Sequence, residues 1–254
     1  MSQSVIGCLE GKVVLVTGGA RGLGAAIAAV FATQGATVVL GDLRPVEDGS
    51  AASSHMFLEL DVTDETSIRA AVDAVVARFG RLDVVVANAG VVPPWSQTAD
   101  IDLVEWDRVM AINARGVLAT IKHATAELAK TRGSVVVMGS INSMVAHPRQ
   151  LIYTASKHAV LGILRAAALD LGAKQVRVNG VAPGPIATDA LLWRIKDRAR
   201  TGPSETEAMK ALESQTALGR LATAAEVANT VAFLASDASS GITGQLLRVD
   251  AGLV

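Results

Sequence analysis

The sequence predicts an α/β fold in which helices cover both faces of one parallel sheet. Three observations carry that prediction. Short apolar runs alternate with longer helical stretches along the whole chain. The runs are nearly continuous in apolar residues, as strands buried on both faces require. Hydrophobic residues make up 50% of the chain but aromatic ones only 3%, so alanine, valine, leucine and glycine build the core.

The elements follow in order. KVVLVTG (12–18), ATVVLGD (36–42), HMFLELD (55–61), LDVVVAN (82–88), GSVVVMGS (133–140), VRVNGVAPG (176–184) and QLLRVD (245–250) read as strands. The third is the least apolar and reads as an edge. Helices are expected over 22–34, 64–79, 102–130, 153–172, 189–215 (broken at Gly202-Pro203) and 224–236. The polar stretch from Arg44 to Ser54 reads as loop. This alternation predicts a doubly wound seven-stranded sheet with right-handed crossovers. No linker, repeat or low-complexity tract divides it, so residues 1–254 are expected to form a single domain.

Composition excludes several classes. A chain of 254 residues buries an ample core. Net charge −1 and 19% charged residues leave no basic footprint, so no nucleic-acid partner is expected. Cys8 is the single cysteine, which excludes an internal disulfide framework and any cysteine zinc spacing. MSQSVIGCLEGK lacks the basic start and apolar core of a secretory signal. The uncharged run from Gly22 to Gly41 is interrupted by Thr33, Gln34, Gly35 and Thr37, where a helical pattern gives way to a strand. A soluble, cytoplasmic protein without a membrane partner is expected.

The first strand runs into TGGARGLG (17–24) and then an apolar helix. Gly18, Gly22 and Gly24 stand where strand becomes helix, so the backbone can turn tightly and approach a pyrophosphate at the helix N-terminus. In that setting the glycines mark a dinucleotide-binding Rossmann fold. Arg21 and Leu23 lie within the turn and join the candidate cofactor residues. Asp42 ends the second strand, where an acid holds the adenosine ribose hydroxyls; Leu43 follows it. A carboxylate there repels the extra phosphate of NADP and favours NAD, whereas Arg21 and Arg44 pull mildly towards NADP. The other reading of Asp42 is a solvated strand-end turn. Asp61-Val62 and Asn88-Ala89-Gly90 extend the same edge of the sheet, although each by itself is an ordinary turn.

At the other end, the fifth strand delivers Ser140, and the helix after it carries YTASK with Tyr153 and Lys157 one turn apart on one face. Tyr153 is the only tyrosine of the chain. A free tyrosine titrates near ~10, too high for a base at neutral pH. An ammonium about 4 Å away contributes on the order of 4 kcal/mol at an effective dielectric of ~20. That corresponds to about three pKa units before desolvation of the lysine is subtracted. Such a tyrosine can exchange a proton with an alcohol or carbonyl oxygen, and Ser140 can hydrogen-bond that oxygen.

The chain resembles the short-chain dehydrogenase/reductase family, in its compact single-domain branch of roughly 250 residues. TGGARGLG, Asp61-Val62, ANAG at 87–90, Asn113 in MAINARG, Ser140, Tyr153-x-x-x-Lys157, PGPIAT at 183–188 and GQLLRVDAG carry the resemblance from about Leu9 to the end. It implies a catalytic tetrad of Asn113, Ser140, Tyr153 and Lys157. Tyr153 would be the acid/base and Ser140 would hold the reacting oxygen. Lys157 would bind the nicotinamide ribose, and Asn113 would place a water linking Lys157 to solvent. Pro183, Gly184, Ile186 and Thr188 would receive the nicotinamide end. A purely structural Asn113 is the other reading of that residue.

Two departures stand out. The family often has Asn-Asn-Ala-Gly where this chain has Ala87-Asn88-Ala89-Gly90, and the stretch after Asp42 is short, which opens the adenine side. The region 189–215 would be the substrate lid, with Leu191, Leu192 and Trp193 beside Arg194, Lys196, Arg198 and Arg200. It reads either as an apolar substrate roof whose basic residues attract an acidic substrate or as a solvated basic face with an apolar underside. Trp95, Asn142, His147 and Gln150 would flank the substrate; packing or solvent exposure is the alternative for each. His55, His123 and His158 have no metal spacing, and no metal is expected.

The implied activity is NAD-dependent interconversion of a secondary alcohol and a ketone. The alternatives are NADPH-linked reduction of a ketone or 3-oxoacyl thioester, and a catalytically inactive dinucleotide-binding sensor or scaffold. The family also implies a homotetramer, or a dimer, through the long helices and the C-terminal strand.

Overall fold

A computed structural model describes residues 9–45, 55–188, 191–192, 195–196 and 202–253. Cys8, residues 46–54 of the expected loop, and Trp193, Arg194, Arg198 and Arg200 lie outside the described residues.

Seven strands form one parallel sheet: β1 Val13–Thr17, β2 Thr37–Asp42, β3 Met56–Glu59, β4 Val84–Ala87, β5 Ser134–Met138, β6 Arg177–Pro183 and β7 Leu246–Val249. Their order across the sheet is β3-β2-β1-β4-β5-β6-β7. The order reverses between β1 and β4, and there the strand ends diverge to leave a crevice at the carboxyl edge. Val14 pairs with both Val38 and Val84. Residues of β1, β4 and β5 are buried on both faces, whereas the edge strand β3 is only partly covered. That difference is the one expected from its weaker apolar run.

The helices are α1 Gly22–Thr33, α2 Glu65–Phe79, α3 Leu103–Met110, α4 Gly116–Thr131, α5 Leu151–Gly172, α6 Glu205–Glu213 and α7 Ala224–Ala235. Ile27 and Phe31 of α1 pack with Val227 and Val231 of α7 on one face of the sheet. Val72 of α2, Leu128 of α4 and Leu164 of α5 pack on the other. Side chains account for the helix starts. Asp64 caps α2 by accepting from the Thr66 N–H, and Ser204 and Thr223 form reciprocal caps with Glu207 and Glu226.

The single helix expected over 102–130 is instead α3 and α4 joined by a π-helical turn, Ala111–Arg115. One extra residue per turn changes which side chains face inward, and Asn113 becomes fully buried. Gly116 then lets α4 approach Val62; a Cβ there would meet the Val62 carbonyl oxygen at 3.0 Å. In the expected lid, the described helix after Gly202-Pro203 starts at Glu205, where Ser204 caps it. Among the described residues no helix is long and apolar enough to cross a membrane.

Candidate active site

The carboxyl ends of β1, β2 and β4 are tied into one frame. Asn88, just past β4, donates its side-chain amide to the carbonyls of Thr17 and Gly18, each at 2.9 Å. Thr17 Oγ1 in turn accepts from the Asn88 and Ala89 N–H groups, each at 3.1 Å. The glycine turn is therefore held from the neighbouring strand as well as by its own geometry. A side chain on Gly24 would overlap the Gly18 carbonyl, so α1 can start this close to β1 only with glycine there. Gly22 has φ +57°, and apart from its chain neighbours and the backbone of its own helix no described atom lies within 4 Å of where its Cβ would be. That left-handed backbone leaves open space beside the first turn of α1, which has no side-chain cap. Arg21 stands at the N-cap of α1 with extended backbone and gives it no side-chain cap; Leu23 packs against the core cluster beneath α1.

The Asp42 carboxylate turns towards this frame. Its Oδ2 accepts from the Ala20 N–H at 3.0 Å and its Oδ1 from the Leu43 N–H at 2.8 Å. It is thus fixed beside the glycine turn, a geometry that the solvated-turn reading does not require. The Leu43 side chain is exposed. Asp61 Oδ1 accepts from the Thr63 N–H and hydroxyl, which sets the turn into α2, and Val62 is buried against α4.

At the other end of the crevice, Lys157 is buried and its Nζ donates to the Met138 carbonyl at 2.8 Å. Met138 is the last residue of β5, so this bond pins α5 to the strand that delivers Ser140. Nζ also stands 5.8 Å from the centre of the Tyr153 ring. Burial lowers the Lys157 pKa from 10.5 to about 8.

Ser140 lies two residues past β5 as the cap of a short turn, Ile141–Ser143. Its Oγ accepts from the Asn142 N–H at 3.2 Å. The Asn142 amide donates to Gln150 Oε1 at 3.1 Å and to Thr154 Oγ1 at 3.0 Å. Asn142 and Gln150, expected to flank substrate, therefore brace the Ser140 turn against the first turn of α5. Trp95 and Gln150 line one crevice with Tyr153.

Asn113 forms a two-bond bridge with the backbone of Val91: its Oδ1 accepts from the N–H and its Nδ2 donates to the carbonyl, both at 2.8 Å. Nδ2 also donates to Ser156 Oγ at 3.1 Å, and the Ser156 hydroxyl donates to the Tyr153 carbonyl. A Cβ on Gly90 would lie 3.8 Å from Lys157 Nζ, which places the loop after β4 directly over the lysine. Further along the edge, the Gly184 N–H donates to the Val249 carbonyl at 3.0 Å, and the Thr188 N–H to the Ile186 carbonyl at 2.7 Å. Ile186 itself is buried in the core, so its side chain packs inward while its backbone runs along the crevice, and Pro183 ends β6.

The sequence does not single out Ser156 and Thr154, which lie between Tyr153 and Lys157. Their signal was polarity within an otherwise apolar helix, but their partners lie in other elements. Leu191 and Leu192 begin a helical turn, their N–H groups donating to the Thr188 carbonyl. Among the described residues no cluster of histidine, cysteine and acidic side chains could hold a metal. His123 instead pairs with Glu65, whose carboxyl is held at about 2 by Lys122 and then His123.

Residues 18–254 match the family model described as enoyl-(acyl carrier protein) reductase. The chain is 41% identical over 256 residues to short-chain dehydrogenase reductase 5 of Arabidopsis thaliana, covering 96% of this chain and 95% of that protein. It is 38% identical over 248 residues to cis-4-hydroxycyclohexanecarboxylate dehydrogenase of Sinomonas cyclohexanicum, covering 95% and 96%. The solved structure of carveol dehydrogenase from Mycobacterium avium in complex with NAD superposes with a TM-score of 0.90 at 30% identity, covering 97% of this chain and 98% of that one. A parallel sheet reversing at β1/β4, a glycine turn at that reversal and similarity along nearly the whole chain lead to one conclusion: this protein belongs to the short-chain dehydrogenase/reductase family.

Proposed function

We propose that the chain is an NAD-dependent oxidoreductase that interconverts a secondary alcohol and a ketone, with Tyr153 as the acid/base. The observation that carries this reading is the buried Lys157, anchored on the strand that delivers Ser140 and standing over the Tyr153 ring.

The bare backbone at Gly22 and the open first turn of α1 suit a dinucleotide diphosphate. Gly18, Arg21, Gly22, Leu23 and Gly24 would hold that group. Asp42 and Leu43 would meet the adenosine ribose, and Asp61 and Val62 the adenine. Asn88, Ala89, Gly90, Pro183, Gly184, Ile186 and Thr188 would line the nicotinamide half. When bound, the nicotinamide accepts hydride in oxidation and donates it in reduction.

The chain's own residues then handle the proton. Tyr153 takes it from the substrate hydroxyl in oxidation and returns it to the carbonyl oxygen in reduction. Ser140, already accepting from the Asn142 N–H, has its own hydroxyl proton to donate to the reacting oxygen. Lys157 favours the tyrosinate by its charge and binds the nicotinamide ribose. Asn113 holds the loop over Lys157. The carboxylate of Asp42 beside the glycine turn favours a free ribose 2′-hydroxyl over a 2′-phosphate, and the carveol dehydrogenase of similar structure binds NAD. A tetramer or dimer in the cytoplasm belongs to the same reading.

The second reading, NADPH-linked reduction of a 3-oxoacyl thioester, is favoured by the 38% identity over 259 residues to 3-oxoacyl-[acyl-carrier-protein] reductase FabG of Thermotoga maritima. Turnover of secondary alcohols by the native protein and Tyr153→Phe tests both. The variant is expected to lose about 10²–10⁴-fold in kcat while still binding NADH in a fluorescence titration. Undiminished turnover in the variant, or binding by the native protein without turnover of any alcohol or ketone, overturns the proposal; the second of these outcomes favours a sensor.

A further inference from the structure

The π-helical turn Ala111–Arg115 is tied to two loops at the carboxyl edge of the sheet. Asn113 bridges Val91, in the loop that leaves β4 and passes over Lys157. Arg115, the last residue of the turn, is exposed and reaches the loop after β3. Its Nη1 donates to the Thr63 carbonyl at 2.7 Å.

Residues 61–64 lead from β3 into α2. Asp61 Oδ1 accepts from the Thr63 N–H at 2.8 Å and from the Thr63 hydroxyl at 2.7 Å. The Asp61 N–H donates to Ser67 Oγ at 3.0 Å, and the Asp64 N–H to the Asp61 carbonyl at 3.1 Å. Asp64 caps α2. These bonds close within residues 61–68 and give the segment its shape, but they do not tie it to another element. Among the described residues, the bond from Arg115 is the hydrogen bond that does so. Beside it, buried Val62 packs on Gly116, the residue after Arg115. Apolar contact is non-directional and leaves the segment free to turn, whereas a hydrogen bond fixes its direction.

The proposed function sets Asp61 and Val62 against the adenine. Resting on that reading, we infer that Arg115 is a positioning residue for the adenine half of the dinucleotide. It acts through Thr63: the guanidinium holds the Thr63 carbonyl, and the Thr63 N–H and hydroxyl hold the Asp61 carboxylate. Arg115 itself needs no contact with the dinucleotide. One short stretch of backbone then sets both halves of the site, the nicotinamide half through Asn113 and the adenine half through Arg115.

Fluorescence titration of the full chain with NADH, and displacement of that NADH by AMP, test this. Arg115→Met keeps an apolar stem and removes the donor. It is expected to weaken NADH and AMP by the same factor, about tenfold, as the loss of one charge-assisted hydrogen bond predicts. With a secondary alcohol that the native protein oxidises, kcat at saturating NAD should stay within about twofold, so that the loss falls on the KM for NAD. Arg115→Lys, which keeps a charged donor without the planar fork, is expected to recover part of the affinity. NADH bound as tightly by Arg115→Met as by the native protein overturns the inference and leaves the cofactor reading standing. A variant that loses affinity for NADH but not for AMP also overturns it, because the loss then lies outside the adenine half. So does a fall in kcat as large as the fall in kcat/KM, which marks a general disturbance of the site. A native protein that binds neither NADH nor AMP overturns the cofactor reading and the inference together.

Discussion

Asn113 Nδ2 lies 3.1 Å from Ser156 Oγ, and this hydrogen bond couples the π-helical turn between α3 and α4 to the helix that carries Tyr153 and Lys157. Because Asn113 also bridges Val91, one buried amide sets the loop after β4 relative to α5. Ser156 thus acts as a positioning residue through Asn113.

Ser156→Ala removes one acceptor from a buried amide and leaves the Tyr153 carbonyl without its hydroxyl donor. Stability is expected to fall by about 1–3 kcal/mol in denaturant melts. The kcat is expected to fall about tenfold, since a small misplacement of catalytic groups is costly. Ser156→Cys, which keeps a weak donor and acceptor, should recover part of both. An unchanged kcat in Ser156→Ala with the stability loss present would show that Ser156 serves the fold alone.

Lys157 gives stability a particular pH dependence. Burial lowers its pKa from 10.5 to about 8. Below about pH 8 the lysine is protonated in folded and unfolded chains alike, and the folded state bears the desolvation cost. Between about 8 and 10.5 the unfolded chain binds more protons, so this contribution to stability rises with pH. The gain reaches on the order of 3 kcal/mol by the upper end of that window. Urea melts of the native protein and Lys157→Met across it should differ in slope, with the variant lacking the rise.

Asp42 decides the choice of dinucleotide under the proposed function. The native protein is expected to favour NAD over NADP by at least about tenfold in kcat/KM, the factor that one charge-assisted hydrogen bond supplies. Asp42→Ala should lower kcat/KM for NAD by about the same factor and leave NADP no worse than before. A tenfold preference for NADP in the native protein contradicts this assignment.

Arg177 is expected to matter for stability well away from the chemistry. From the start of β6, its guanidinium donates to the Leu234 carbonyl at 2.8 Å, the Ser239 hydroxyl at 2.7 Å and the Ser236 carbonyl at 2.9 Å. It thereby closes the C-terminal end of α7, where a cation also meets the negative end of the helix dipole. Arg177→Ala removes this charged donor and leaves the Leu234 carbonyl to the Ser134 and Ser239 hydroxyls and the Ser236 carbonyl to Ser239, at an expected cost of about 1–3 kcal/mol. Thermal unfolding measures it, and a loss below about 0.5 kcal/mol would place Arg177 with ordinary surface residues.

Much of this architecture is written locally in the chain. Runs such as KVVLVTG and GSVVVMGS declare buried strands because each residue must be apolar when both faces are covered. The weaker run HMFLELD declares an edge, and TGGARGLG marks the strand-to-helix turn by the freedom of its glycines. Tyr153 and Lys157 share a helix face through their spacing alone. The π-helical turn at 111–115 is not legible in the chain, because the apolar residues on its two sides read as one continuous helix and the change of inward face made by the extra residue shows only in the packing.

Local chain chemistry therefore settles which segments become strands and helices, where the glycine turn falls and which residue types reach the carboxyl edge of the sheet. Their partners come from the packed fold alone: Asn113 on Val91 and Ser156, Lys157 on Met138, Asn142 on Gln150 and Thr154, and Asp42 on Ala20. The division follows from the range of the forces involved. Backbone preference and apolar periodicity act over a few residues, whereas a buried polar group takes whichever partner the packing of distant segments brings within about 3 Å.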